Sequence, residues 1–371
     1  MSHGIPSVHS STSTSEEPPL AAPAPRLRTL GLLIAGLVAA LLMFEIVLRI
    51  LPVPTSTATG YYYDPLILTY PAGHRFWVAS GWNLERARSL TANNFGFVAD
   101  HDFVPDPNAI ALIGDSFVEA SMLPDRERLG PQIESRVAPR RVYAMGSPGT
   151  ALLDYGERMR FASEHFGIHD FVLFLEQGDI AQSLCGSGNI HARCVDPATL
   201  APTITLQAPP GRVKLILRNS ALAQYLFSQL KLDPAAWLHK LVGRFAASAP
   251  AAKPRASAGP SPEAVQRVLT EFFERSRPYR TGKLILVWTG SLTSRRAANS
   301  AADPVEAAVI EAANRNGAMV VRIAPSLESY RAQTGLSLQV SPHDGHFNGI
   351  AMSLIADQVA PLFHIEPSVA R

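Results

Sequence analysis

The sequence predicts an α/β protein, a doubly wound parallel sheet preceded by one transmembrane helix. Three observations carry that reading. Short apolar runs at 109–113, 141–145, 171–175, 283–288 and 318–323 are separated by stretches with helical periodicity. Each run is apolar at successive positions rather than alternating, the pattern of a strand buried on both faces. And the stretch from Leu30 to Leu51 is apolar apart from Glu45 and Arg49, about the length a helix needs to cross a bilayer core.

Composition narrows the class. Of 371 residues, 47% are hydrophobic and 17% charged, against about 25% charged in an average soluble domain. The 33 basic and 31 acidic residues leave a net charge of +2. Such balance excludes a nucleic-acid binder that works by clustered basic excess. The apolar content excludes disorder throughout, and two cysteines exclude a disulfide scaffold.

The elements follow in order. Residues 1–28 are rich in Ser, Thr, Pro and Ala without apolar periodicity and read as a disordered tail. Residues 29–53 are the membrane anchor. A cleaved signal peptide is the competing reading, but Arg49-Ile50-Leu51-Pro52-Val53 is a poor cleavage site and the run is long. Arg26 and Arg28 precede the span, and after Arg49 no basic residue follows until His74 and Arg75. The positive-inside rule then keeps the N-terminus in the cytoplasm and exports residues 54–371 across a bacterial inner membrane. Glu45 and Arg49, four residues apart, can pair on one helix face, either snorkelling at the helix end or meeting a membrane partner.

Residues 54–108 read as an irregular entry region dense in aromatics (Tyr61, Tyr62, Tyr63, Tyr70, Phe76, Trp77, Trp82). These suit carbohydrate stacking or packing on the domain or the membrane interface. Ser261-Pro262-Glu263 caps and opens one helix, Asp303-Pro304 another that stops at Gly317, and a final amphipathic helix starts near Asn348. An insertion at about 181–260 interrupts the alternation. It holds an apolar-periodic stretch over 215–245 and ends in an Ala/Pro linker. It reads as a lid, a partner-binding subdomain or a peripheral helical hairpin. Within it, Cys185 and Cys194 can close a small disulfide loop in an exported domain. A metal site is the weaker reading, because only His191 lies between them.

Two segments carry chemistry. The first strand ends in Gly114-Asp115-Ser116-Phe117, and the carboxyl end of a central strand is where such sheets place their crevice. Near the other end stands Ser341-Pro342-His343-Asp344-Gly345-His346-Phe347-Asn348. A serine nucleophile needs a base, and the base a carboxylate to orient it. Ser116, His346 and Asp344 fit those roles. Alone, a G-D-S tripeptide is usually a turn, and the histidine segment reads equally as a helix-capping loop.

Together, Ile110-Ala111-Leu112-Ile113-Gly114-Asp115-Ser116-Phe117 and Asp344-Gly345-His346-Phe347-Asn348, with Asn94-Phe95-Gly96-Phe97 ahead of them, resemble the SGNH (GDSL) hydrolase superfamily, in its bacterial membrane-anchored or periplasmic branch. The resemblance spans about residues 90–363. It implies a flavodoxin-like sheet, Ser116 as nucleophile with its amide as one oxyanion donor, and His346 and Asp344 as base and partner. Val142-Tyr143-Ala144-Met145-Gly146-Ser147-Pro148-Gly149-Thr150 resembles the second block, which makes the Gly149 amide the second donor. The third block usually ends G-x-N-D-I. Here Gly178 stands at the Asn position, with Gln177 as a stand-in donor. Ala144 likewise replaces an Asn, and D-x-H replaces D-x-x-H.

The resemblance implies a serine esterase or acyl-transfer enzyme acting on acyl, in the first place acetyl, esters of exported polysaccharide. A membrane acyltransferase is then a candidate partner, and neither cofactor nor metal is expected. The lost third donor keeps open a catalytically weakened scaffold that binds glycan. A signalling membrane protein is a third reading, which the featureless tail disfavours.

Overall fold

The computed structural model describes residues 25–189, 192–230, 232, 259–290, 303–342 and 344–364. The expected tail through residue 24, most of the 215–245 stretch beyond 230, the linker through 258, His191 and His343 lie outside the described residues. The chain divides into two compact units, Met1–Val47 and Leu48–Arg371. Helix α1 (Pro25–Ile50) contains a 23-residue stretch, Arg28–Ile50, of mean hydropathy 2.6, long and apolar enough to cross a membrane.

The second unit opens with two antiparallel hairpins, β1 (Gly60–Asp64) with β2 (Ile67–Thr69) and β3 (Arg75–Ser80) with β4 (Glu85–Thr91). The sequence reading had an irregular entry region here, and the structure corrects it. Aromatics crowd both faces of β3, with Phe76 buried and Trp77 half-exposed, so the period-two signal of a strand was hidden.

The central sheet is built from β5 (Ile110–Gly114), β6 (Val142–Gly146), β7 (Asp170–Leu175), β10 (Leu284–Trp288) and β11 (Met319–Arg322). All neighbours pair in parallel, in the order β11-β10-β7-β5-β6. In chain order of the core strands this is 2-1-3-4-5, the flavodoxin-like arrangement, whose crevice opens where β5 meets β7. The five apolar runs of the sequence are these five strands.

Alternate strand residues feed two cores. Ala111, Ile113, Leu173 and Leu286 face one side with α4 (Leu152–Phe166), α8 (Pro262–Ser276) and α9 (Pro304–Arg315). Ile110, Leu112, Val172 and Ile285 face the other with α3 (Leu129–Val137), α10 (Ala324–Thr334) and α11 (Gly349–Val359). The helix starts follow the sequence signals. Ser261 Oγ accepts from Ala264 N at 3.2 Å, Asp303 Oδ1 from Val305 N at 2.9 Å, and Asn348 Oδ1 from Ile350 N and Ala351 N at 3.1 Å each. In the insertion, β8 (Arg193–Val195) pairs with β9 (Pro202–Ile204), and Cys185 is disulfide-bonded to Cys194. Helix α6 (Arg212–Asn219) follows, then α7 (Ala221–Ala223) and a π-helical turn over Gln224–Gln229.

Candidate active site

The carboxyl end of β5 delivers the chain into the crevice. Asp115 caps the short helix α2 (Ser116–Glu119), its Oδ1 accepting from Phe117 N at 2.9 Å. Ser116 is therefore the first helical residue, just above the sheet. At the other end of the chain, β12 (Gln339–Ser341) and β13 (Asp344–Phe347) form a small hairpin. Asp344 and His346 are two apart on β13 and share one strand face, which is how a D-x-H spacing brings acid and base together.

The structure brings the three residues into one chain of hydrogen bonds. Ser116 Oγ lies 2.9 Å from His346 Nε2, and Asp344 Oδ1 lies 2.6 Å from His346 Nδ1. With the ring proton on Nδ1, that nitrogen donates to Asp344 and Nε2 accepts from the serine hydroxyl. Asp344 Oδ1 also accepts from the His346 backbone amide at 3.1 Å, a second bond that fixes the carboxylate beside the ring. The Phe117 ring packs 4.7 Å from the imidazole and closes its apolar side.

Gly149 stands in the turn after β6 with φ of +77°, a conformation glycine adopts without strain. Ser147 Oγ donates to Leu68 O at 3.2 Å and Thr150 Oγ1 to Ser147 O at 2.6 Å, so the turn is tied at both ends. Gly146 has no room for a side chain. A Cβ there would meet the Glu119 amide nitrogen at 2.2 Å, which is how closely β6 passes the helix that begins at Ser116.

Gln177 is placed differently from the expectation that it reaches into the site. Its amide nitrogen donates to the carboxylate of Asp303, the cap of α9. Gly178 opens the short helix α5 (Asp179–Gln182), and a Cβ there would lie 2.9 Å from Gln182 Nε2. Gln182 thus occupies the space next to the missing side chain, its Oε1 accepting from Asn189 Nδ2 at 2.7 Å.

Beneath the serine lies a buried charge layer that the sequence reading missed. Arg158 of α4 is 1% exposed. Its Nη1 donates to Gly114 O and to Met145 O (2.7 Å), and its Nη2 donates to Thr150 Oγ1. One guanidinium therefore joins the ends of β5 and β6 and the Gly149 turn. Around it sit Asp115, Asp179 and Tyr155, and Tyr155 donates to Asp179 Oδ1 at 3.2 Å. Burial raises the pKa values of Asp115 and Asp179, while Phe117 N and His346 draw Asp115 back. Burial, with the charge of Asp115, pushes Glu176 up to about 7. On the other side of Ser116, Tyr70 donates to Glu119 Oε2 at 2.5 Å, and burial pushes Glu119 up to about 7. In sequence, Glu157-Arg158-Met159-Arg160 looks like a solvated charged face, so no local signal marks Arg158 as interior.

No protein-family model matches the chain, and no curated protein matches it. Solved structures similar to it include an α/β hydrolase enzyme from the metagenome of Lake Arreo, Spain, at 14% identity and TM-score 0.37, covering 69% of this chain and 94% of that one. They also include a member of the lipolytic G-D-S-L family from Veillonella parvula, at 12% identity and TM-score 0.36, covering 70% and 99%. At such identities and TM-scores the fold class rests on this chain's own strand order.

Proposed function

We propose that this chain is a serine hydrolase or acyl-transfer enzyme of the SGNH type, acting on acyl esters outside the cytoplasmic membrane. The observation that carries the reading is the Ser116–His346–Asp344 chain of hydrogen bonds at the carboxyl end of β5. Ser116 Oγ attacks the ester carbonyl as its proton passes to His346 Nε2, and Asp344 stabilises the imidazolium. The Ser116 and Gly149 amides are the donors for the oxyanion. The leaving alkoxide takes the proton from His346. Water, or a hydroxyl of an acceptor sugar, then attacks the acyl-serine with the same histidine as base. Acetylated exported polysaccharide is the substrate class, with a membrane acyltransferase as acyl source if the chain transfers rather than hydrolyses.

A second reading is a weakened, glycan-binding scaffold. The bare Gly178 and the engagement of Gln177 with Asp303 favour it, because a lost oxyanion donor costs about 10²–10³-fold in rate. Turnover of a chromogenic acetyl ester by the purified chain separates the two. The enzyme reading expects turnover that drops at least about 10³-fold in Ser116→Ala, and covalent labelling of Ser116 by an alkyl phosphonate. Neither turnover nor labelling, with acetylated glycan still bound, is the scaffold result.

A further inference from the structure

Ser116 stands between two turns, because β5 lies between β6 and β7 in the sheet. The turn after β6 carries Gly149, and the turn after β7 is Glu176-Gln177-Gly178. In that second turn Gln177 is held by Asp303 and Gly178 has no side chain, which leaves Glu176 as its remaining polar side chain. Register sets Glu176 beside the serine. β5 and β7 pair from Ile110 with Asp170 to Ile113 with Leu173, and the same offset carried past the strand ends puts Ser116 level with Glu176. Side chains alternate along a strand, so Glu176 follows Val172 and Phe174 onto one face of the sheet. On that face Phe174 stacks 5.6 Å from Phe117, and Phe117 lies 4.7 Å from the His346 ring.

The neighbours of Glu176 favour a proton on its carboxyl. Asp115, from the end of β5, and Asp179, from its own turn, are both acids, and Glu176 N donates to Asp179 Oδ2 at 2.8 Å. The cations and donors nearby are already engaged. Arg158 of α4 holds Gly114 O, Met145 O and Thr150, and Tyr155 of α4 donates to Asp179. His346 of β13 lies between Asp344 and Ser116, and Asp303 at the start of α9 holds Gln177. Among the described residues the Glu176 carboxyl pairs with no cation. It is half-buried, and burial with the charge of Asp115 pushes it up to about 7.

We propose that Glu176, as a neutral carboxylic acid, is an oxyanion donor: its O–H donates from the β7 side to the oxygen that the Ser116 and Gly149 amides also hold. The inference rests on the serine-enzyme reading above. The carboxyl keeps its proton throughout, because proton transfer runs between Ser116, His346 and the leaving oxygen. A fixed donor aimed at developing charge stabilises the tetrahedral intermediate, and a carboxylic acid can serve when its site keeps it neutral. Ionised, the same group sets a negative charge beside the oxyanion and opposes the reaction.

The test is the pH profile of kcat/KM on a chromogenic acetyl ester, for the full chain in detergent, with the wild type set against Glu176→Gln and Glu176→Leu. Wild-type activity is expected to fall above about pH 7. Glu176→Gln, a donor that does not ionise, is expected to keep the activity seen at about pH 6 and to lose the alkaline fall. Glu176→Leu, which has no donor, is expected to lose about 10²–10³-fold at the same pH. An alkaline fall that survives in Glu176→Gln overturns the proposal. Glu176→Leu as active as Glu176→Gln overturns it too, because the site then needs no donor there. Should Glu176→Gln fail to fold, as judged by its melting temperature, Glu176→Asn is measured in its place, and the alkaline fall must again vanish. A wild type with neither turnover nor phosphonate labelling of Ser116 overturns the serine-enzyme reading itself, and this inference with it.

Discussion

At the scale of single residues, the site separates groups that do chemistry from groups that hold charge. Asp344 Oδ1 accepts from His346 twice, from Nδ1 and from the backbone amide. Asp344→Asn keeps the size and one acceptor but inverts the preferred ring tautomer. It is expected to lower kcat on an acetyl ester by about 10⁴-fold with little change in KM or melting temperature. Glu119 lies on the other side of Ser116 and bears on stability. Its folded pKa of about 7 stands above its ordinary 4.5, so between those values the folded state keeps a proton that the unfolded chain has released. Stability therefore falls as pH rises from about 4.5 to 7 and is flat above. Glu119→Gln keeps an acceptor for Tyr70 and removes that share of the slope, on the order of 3 kcal/mol across the window. Denaturant unfolding at several pH values measures it. A residual slope is shared by Glu176, raised to about 7, and by Asp115 and Asp179, whose carboxyls burial also pushes up.

At the scale of elements, the strands were legible and the loops that serve them were not. Four of the five strands, β5, β6, β7 and β10, are short runs buried on both faces, and that pattern is written in consecutive residues; the edge strand β11 is apolar but only half-buried. Three helix starts were equally plain, because Ser261, Asp303 and Asn348 announce caps locally. Ser261→Ala is expected to cost about 1 kcal/mol in thermal or urea unfolding. The Ser116, His346 and Asp344 cluster could be guessed because G-D-S ends a strand and D-x-H precedes a helix. Arg158 could not, because its role exists only once β5, β6 and the Gly149 turn are assembled around it. Removing it leaves Asp115 and Asp179 buried without their cation and strips hydrogen bonds from Gly114 O, Met145 O and Thr150. Arg158→Met is expected to lower stability by about 3–5 kcal/mol. The two hairpins β1–β2 and β3–β4 were missed for the reason given above: aromatics on both faces erase alternation.

At the scale of the whole molecule, the apolar excess that first marked the sequence has two homes. One is the Arg28–Ile50 stretch, and the other is the pair of cores on either side of the parallel sheet. If α1 anchors the chain, the full-length protein stays with membranes after alkaline carbonate extraction, whereas a variant lacking residues 25–51 is released to the supernatant. Fractionation followed by immunoblotting reads the difference.

The strand carrying Asp344 and His346 sets a rule for how this protein can drift. Asp344, Gly345 and His346 alternate across β13, with the flanking pair half-buried and Gly345 exposed. A one-residue insertion or deletion between the acid and the base would turn the imidazole to the opposite side of the strand, away from Ser116. Length changes of two residues within β13 would preserve its facing, though not its reach. The D-x-H spacing therefore belongs to the extended backbone of β13: while these residues stay in strand conformation, acid and base share a face only at two-residue separations.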